Sequence, residues 1–216
     1  MKKLLIPILC GLLAVASCNM SGSFQAQNMT DIVTVDHGLL VNDNGVAYTL
    51  VETVGKDIPT LQEGLRYYVL FDILNQELDI CLTNAMAVKI VNPTPVPEDL
   101  DEITAHDPVF FQFNTVGPRY WDMGILTYKA IGSNYAHNIS VYYKVEDNGQ
   151  NLHLYVFHDG NDENPVKMSS NDLASEATVI SIPLSAFKDV DIYTLTCDVL
   201  TNNTATGEYE IVRRTI

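Results

Sequence analysis

Cys18 is the residue whose chemistry is easiest to name from its neighbours. It closes the run Val15-Ala16-Ser17-Cys18, small residues ahead of a cysteine, which is the pattern of a bacterial lipobox. In that chemistry the thiolate takes a diacylglyceryl group, a peptidase cuts before the cysteine, and the freed amino group is acylated in turn. Each buried methylene adds about 0.8 kcal/mol, so two or three acyl chains anchor a protein almost irreversibly.

A second set of candidates comes from a hairpin whose register follows from its turn. Asn148-Gly149 predicts a two-residue turn that pairs Val145 with Leu152, Tyr143 with Leu154, Val141 with Val156 and Ile139 with His158. His137 then lies on the Ile139 face as a diagonal neighbour of His158, with Cα atoms about 7 to 8 Å apart. The acidic, amide-rich stretch Asp159-Gly160-Asn161-Asp162-Glu163-Asn164 follows at once. His137, His158, Asp159 and Asp162 are therefore the candidate metal ligands, because zinc takes three or four N, O or S donors and calcium six to eight oxygens. No recognised spacing supports either ion: the loop lacks the EF-hand order, and two histidines alone make no zinc motif. The favoured expectation is that the two histidines close the sheet end by hydrogen bonds to the acidic turn, with metal or ligand binding as the alternative. No metal site and no cofactor is assigned on this basis.

Catalytic constellations are missing at the level of sequence. There is no Gly-x-Ser-x-Gly elbow and no Gly-rich phosphate loop. Trp121 stands beside Arg119, Tyr120 and Asp122, where it could form a sugar platform, but Trp121, Met123 and Ile125 alternate like the core face of a strand. Cys10 falls in the leader, which leaves Cys81 and Cys197. Cys197 lies on the apolar side of its predicted strand, so buried thiols are expected rather than a disulfide, although the pairing stays open.

The elements that must carry these residues are strands, since the hydrophobic pattern has period two almost throughout. Residues 1–17 form an export leader: Met1-Lys2-Lys3, then an apolar run of about 13 residues, too short to cross the roughly 30 Å hydrocarbon core as a helix. Residues 18–31, rich in Ser, Asn, Gln and Gly, read as a lipidated flexible tether. Residues 32–91 hold about five short strands, including Ile32 to Val41, an Asn44-Gly45 hairpin, and Leu65, Tyr67, Val69, Phe71 and Ile73 alternating on one face; these suggest a small barrel. Residues 92–107 contain Pro93, Pro95 and Pro97 followed by acidic residues, and form the expected linker. Residues 108–216 hold seven strand candidates, which fit an antiparallel β-sandwich. The fold class expected is all-β.

Charge narrows the partners. The chain carries a formal charge of −15, and losing Lys2 and Lys3 with the leader takes it to −17. With no Lys/Arg cluster to offset this, nucleic acid is excluded as an expected partner. Asn19 rather than Asp after the cysteine favours the outer membrane, and the absence of acidic residues from Asn19 to Thr30 favours its periplasmic face.

Asp107-Pro108-Val109, the strand from Tyr120 to Tyr128, His137-Asn138-Ile139-Ser140-Val141, Leu152-His153-Leu154 leading into His158-Asp159-Gly160-Asn161-Asp162, and Ile182-Pro183-Leu184-Ser185 together resemble the NigD-like lipoproteins over nearly the whole mature chain. The resemblance implies an N-terminal OB-like barrel followed by a C-terminal β-sandwich and, from the family's bacteriocin operon, an immunity role. The expectation is a monomeric, non-catalytic, lipid-anchored outer-membrane protein that binds an unidentified envelope protein or small ligand. Two alternatives stand beside it: an immunity lipoprotein with a basic toxin partner, and a metal-dependent enzyme using His137, His158 and Asp162.

Overall fold

The computed structural model describes residues 26–56, 58–97, 107–146, 151–165, 167–187, 194–202 and 209–215. The leader, Cys18 and the Asn148-Gly149 turn lie outside the described residues, as does the side chain of Cys197. Five strands close into a barrel: β1 (Ala26–Asp36), β2 (Leu39–Asn42), β3 (Ala47–Thr53), β4 (Arg66–Ile73) and β5 (Asp79–Ala87), in the order β1-β2-β3-β5-β4. β4 pairs back onto β1, and β3 and β5 are the parallel neighbours. The alternation expected of β4 is present from Tyr67 onward: Tyr67, Val69, Phe71 and Ile73 are buried, packed with Val33, Leu40, Ile80 and Leu82, but Leu65 precedes the strand and is exposed. Asn42 organises the Asn-Gly hairpin, its side-chain oxygen accepting from the amides of Asn44 and Val46 at 3.0 and 2.9 Å, while Gly45 takes φ +81°.

Two expectations for this region need correction. Ile32 to Val41 is not one strand: His37 and Gly38 both have positive φ, 50° and 79°, and reverse the chain so that Asp36 pairs with Leu39. Two left-handed residues in succession are what the tight right-twisted hairpin turn requires. The strand also begins earlier than the expected tether allows, at Ala26. Residues 29–31 pair with Phe71, Leu70 and Val69, but residues 27–30 face solvent, so they carry no apolar signature.

The remaining strands form two stacked sheets. One contains β7 (Thr94–Pro95), β10 (Asn138–Glu146), β11 (Asn151–Asp159), β13 (Thr194–Asn202) and β14 (Tyr209–Thr215); the other contains β6 (Lys89–Ile90), β8 (Phe110–Val116), β9 (Tyr120–Ala130) and β12 (Leu173–Pro183). Their inner faces enclose Trp121, Met123, Ile125, Ile139, Val141, Leu152, Leu154, Val156, Ile180 and Ile182. Trp121 is wholly buried, so the core reading of that face holds and the sugar platform does not. The β10–β11 register is the one the turn predicts, from Val145↔Leu152 to Ile139↔His158.

The sandwich is less uniformly antiparallel than expected. β11–β13, β10–β7 and β12–β6 are parallel pairs. The last two arise because the stretch joining barrel to sandwich lays one short strand on the edge of each sheet. Pro95 is tolerated there because an edge strand need not donate on its outer side. Among the described residues no helix is long and apolar enough to cross a membrane.

Candidate functional site

The hairpin register places His158 opposite Ile139 on the inner face of the sandwich, and His137 immediately before β10 meets it. The imidazoles are tilted by 52° with centroids 4.9 Å apart, and His158 Nε2 lies 3.0 Å from His137 Nδ1. His137 Nε2 in turn is 3.3 Å from Glu163 Oε2. Glu163 is itself held by the backbone N–H of Ala130 at 2.7 Å and by the Ser133 hydroxyl. Burial raises the Glu163 carboxyl pKa, but these donors and His137 outweigh it and leave it below the ordinary value. His158, 1% exposed, is pushed down by burial first and then by the charge of His137. Its Nδ1 has no hydrogen-bond partner of ordinary geometry, while the Pro108 backbone favours the protonated ring.

An ionised Glu163 can only accept, so His137 Nε2 carries a hydrogen. Two proton arrangements then satisfy the bond between the rings. Either both are neutral and His158 Nε2–H donates to His137 Nδ1, or His137 is an imidazolium that donates at both nitrogens and His158 keeps its hydrogen on Nδ1. Gly160 makes the close approach possible: a Cβ there would lie 2.6 Å from His158 Cε1 and 3.3 Å from His137 Cε1.

The acidic loop after β11 is organised inward, around Asp107, rather than toward the histidines. Asp107 donates its N–H to the His158 carbonyl at 2.9 Å. Its carboxylate accepts from the amides of Gly160 and Asp162 and from Asn164 Nδ2 at 3.0, 2.9 and 2.6 Å. These bonds hold Asn161 and Asp162 at φ 56° and 59°, a conformation Asn and Asp tolerate better than most residues. Asp159 accepts from the Tyr135 hydroxyl at 3.0 Å, and Asp162 reaches outward to Lys167 Nζ at 2.5 Å. The four candidate ligands therefore do not converge: His137 and His158 meet, and Asp159 and Asp162 are engaged elsewhere. Among the described residues, the three groups with metal-ligand spacing are Asp36, His37 and Glu63, all exposed at the β1–β2 turn. Glu63 Oε1 there already accepts the His37 N–H at 2.7 Å.

A second constellation, which the sequence did not reveal, joins the barrel to the sandwich. Arg66, 3% exposed, starts β4 with its side chain on the outer face of the barrel. Its Nη1 and Nη2 reach Asp43 at 2.8 and 3.2 Å, Nη2 reaches both oxygens of Asp122 at 3.2 Å, and Nε donates to Ser181 at 3.1 Å. The guanidinium lies 3.9 Å from the Tyr120 ring centroid. Ser181 donates to Asp122, its register partner across β12 and β9, and Arg119 closes the set with a 2.9 Å contact to Asp43. Burial raises the Asp122 carboxyl above its ordinary range, partly offset by Ser181 and Arg66. Beside this latch Tyr68 of the barrel stacks on Phe113 of the sandwich at 5.4 Å. Phe113 lies over Gly124, where a Cβ would sit 2.3 Å from its ring. A cleft of about 410 Å³ opens here, lined by Asp31, Asn42, Asn44, Tyr68, Phe113 and Thr115 among others.

Cys81 is buried and free, its thiol pKa pushed up by burial and by Glu52 and Asp72.

No family model and no curated protein matches the sequence. Solved structures do. A protein of unknown function from Bacteroides vulgatus has a TM-score of 0.62 at 15% identity, covering 87% of this chain and 90% of that one. A NigD-like immunity protein from Bacteroides caccae has a TM-score of 0.60 at 16% identity, covering 90% and 94%. A protein provisionally assigned as a lipoprotein from Bacteroides fragilis has a TM-score of 0.57 at 12% identity, covering 87% and 97%. At such identities the likeness establishes a common fold: the chain shares its barrel-plus-sandwich architecture with the NigD-like immunity protein over 90% of its length.

Proposed function

We propose that this chain is a NigD-like lipoprotein, a non-catalytic interaction module anchored through Cys18 to the outer membrane and facing the periplasm. The observation that carries the reading is the junction. Arg66 locks two β modules into a fixed relation and leaves beside the latch a cleft rich in carboxylates, amides and aromatic surface, in a chain of net charge −15. Such a surface favours a cationic partner. The histidine pair supports the non-catalytic part, since its facing nitrogens are bonded to each other and to Glu163 rather than to an open centre. A shared fold with an immunity protein favours, as the second reading, self-protection against a basic toxin.

Labelling cells with radioactive palmitate tests the anchor: label is expected on the wild-type chain and lost in Cys18→Ala. Protease added to intact cells should leave the protein whole, and digestion would overturn the periplasmic placement. A deletion strain that is killed by a basic toxin encoded nearby, and rescued by this chain, would favour the immunity reading.

A further inference from the structure

At one end of the sandwich the inward-facing positions change character on several strands at once. On β9 the sequence Trp121, Met123, Ile125 continues as Thr127 and Lys129; on β12, going the other way, Ile182 and Ile180 continue as Thr178 and Glu176. His137, just before β10, and His158 of β11 join them, and β6 supplies Lys89. Together these groups line a cavity of about 230 Å³. Thr127 and His158 are 3% and 1% exposed, while Lys89 and Glu176 on the same cavity are exposed, so it opens to solvent.

Its charge is opposite to that of the molecule. The whole sequence has 12 Lys and Arg against 27 Asp and Glu, yet two lysines and one glutamate line this cavity. Among the described residues neither Lys89 nor Lys129 has an ion-pair partner, and Glu176 does not come within 4.0 Å of either ammonium. Unpaired ammonium groups beside the Thr178 hydroxyl around one small space are a donor set for an oxyanion.

We propose that this cavity binds a small oxyanion, a carboxylate or phosphate group held by Lys89 and Lys129, with the His137–His158 pair as its floor. The volume admits a compact molecule rather than a chain, and the site is separate from the junction cleft and from the anchor, so it stands or falls independently of both. The groups that set the charge felt by the imidazoles are Glu163, Asp107, Asp159 and Tyr135 from the loops and Lys89, Lys129 and Glu176 from the facing strands.

The test is histidine-selective NMR on the full chain in nonionic detergent, titrated separately with inorganic phosphate and with acetate against chloride at equal ionic strength. Saturable shifts of the His137 and His158 ring signals are expected with at least one of the two anions, with His37 and His153 unmoved. Lys89→Met/Lys129→Met should weaken the response at least tenfold while leaving the thermal midpoint in place. Response to phosphate alone identifies a phosphoryl ligand, to acetate a carboxylate. Shifts no larger than those with chloride, or an affinity unchanged in the double variant, would overturn the proposal. Should that variant fail to fold, Thr178→Val, which removes one lining hydroxyl and keeps both lysines, is expected to weaken binding, and an unchanged affinity there would equally refute the site.

Discussion

Glu163 and His158 are bound into one hydrogen-bonded chain, and they titrate in different windows. His158 has a lowered pKa in the folded protein, so between that value and its ordinary 6.5 the unfolded chain binds more protons. The stability it carries is therefore complete above about pH 6.5 and is lost as the pH falls toward the folded value. Glu163, also lowered, holds its contribution above its ordinary 4.5 and loses it as the pH falls through the folded value. Thermal midpoints measured from pH 8 down to about pH 2 should thus decline in two stages. In His158→Gln the first stage should be absent, and retention of it would mean that another group titrates there. The pairing of His137 with His158 was legible because Asn148-Gly149 fixes the register and the period-two pattern checks it. The role of Glu163 was not. It comes from an irregular loop, where no periodicity links a residue to the face it reaches, and all the acidic residues of that loop look alike in sequence. Asp107 was hidden for the same reason, although it does most of the work of shaping the loop.

At the scale of elements, the decisive contact is made by outer faces, and sequence patterns speak mainly about inner ones. The alternation of β4 correctly put Tyr67, Val69, Phe71 and Ile73 in the barrel core, but Arg66 and Tyr68, on the opposite face, looked like ordinary solvent-exposed positions. A lone arginine at the head of a mostly apolar strand, whose only other charge is Asp72, in a chain with few arginines, is the faint signal that was present. The His37-Gly38 reversal was missed because the apolar residues on its two sides continue smoothly across it. The latch predicts unequal mutations. Arg66→Met removes the guanidinium from buried Asp122, while Asp43 keeps Arg119, and should cost about 3–5 kcal/mol in urea denaturation, the range for removing one partner of a buried ion pair. Asp122→Asn should cost less than half as much. It leaves Arg66 paired with Asp43 and removes a carboxylate whose raised pKa shows its charged form to be disfavoured by burial. Equal losses would mean that the network acts as an indivisible unit.

On the whole-molecule scale, barrel and sandwich each have a separate apolar core, and the latch, the Tyr68–Phe113 stack and the edge strands β6 and β7 join them. Calorimetry of the wild-type protein should therefore give one transition with calorimetric and van't Hoff enthalpies in agreement, and Arg66→Met should separate it into two. A single transition persisting in the variant would assign the coupling to β6 and β7 instead. Those two short strands also impose an order in time. Lys89 and Ile90 are synthesised early, but their partners, Ile180 and Ser181, arrive about 90 residues later; Thr94 waits about 50 residues for Tyr142. Closing a loop of that length carries an entropy cost that grows with the logarithm of its size. The local hairpin β10–β11 can form long before the connector docks. Assembly is thus expected to proceed from the middle of the sandwich outward, with β7 able to dock once β10 has formed and β6 only after β12.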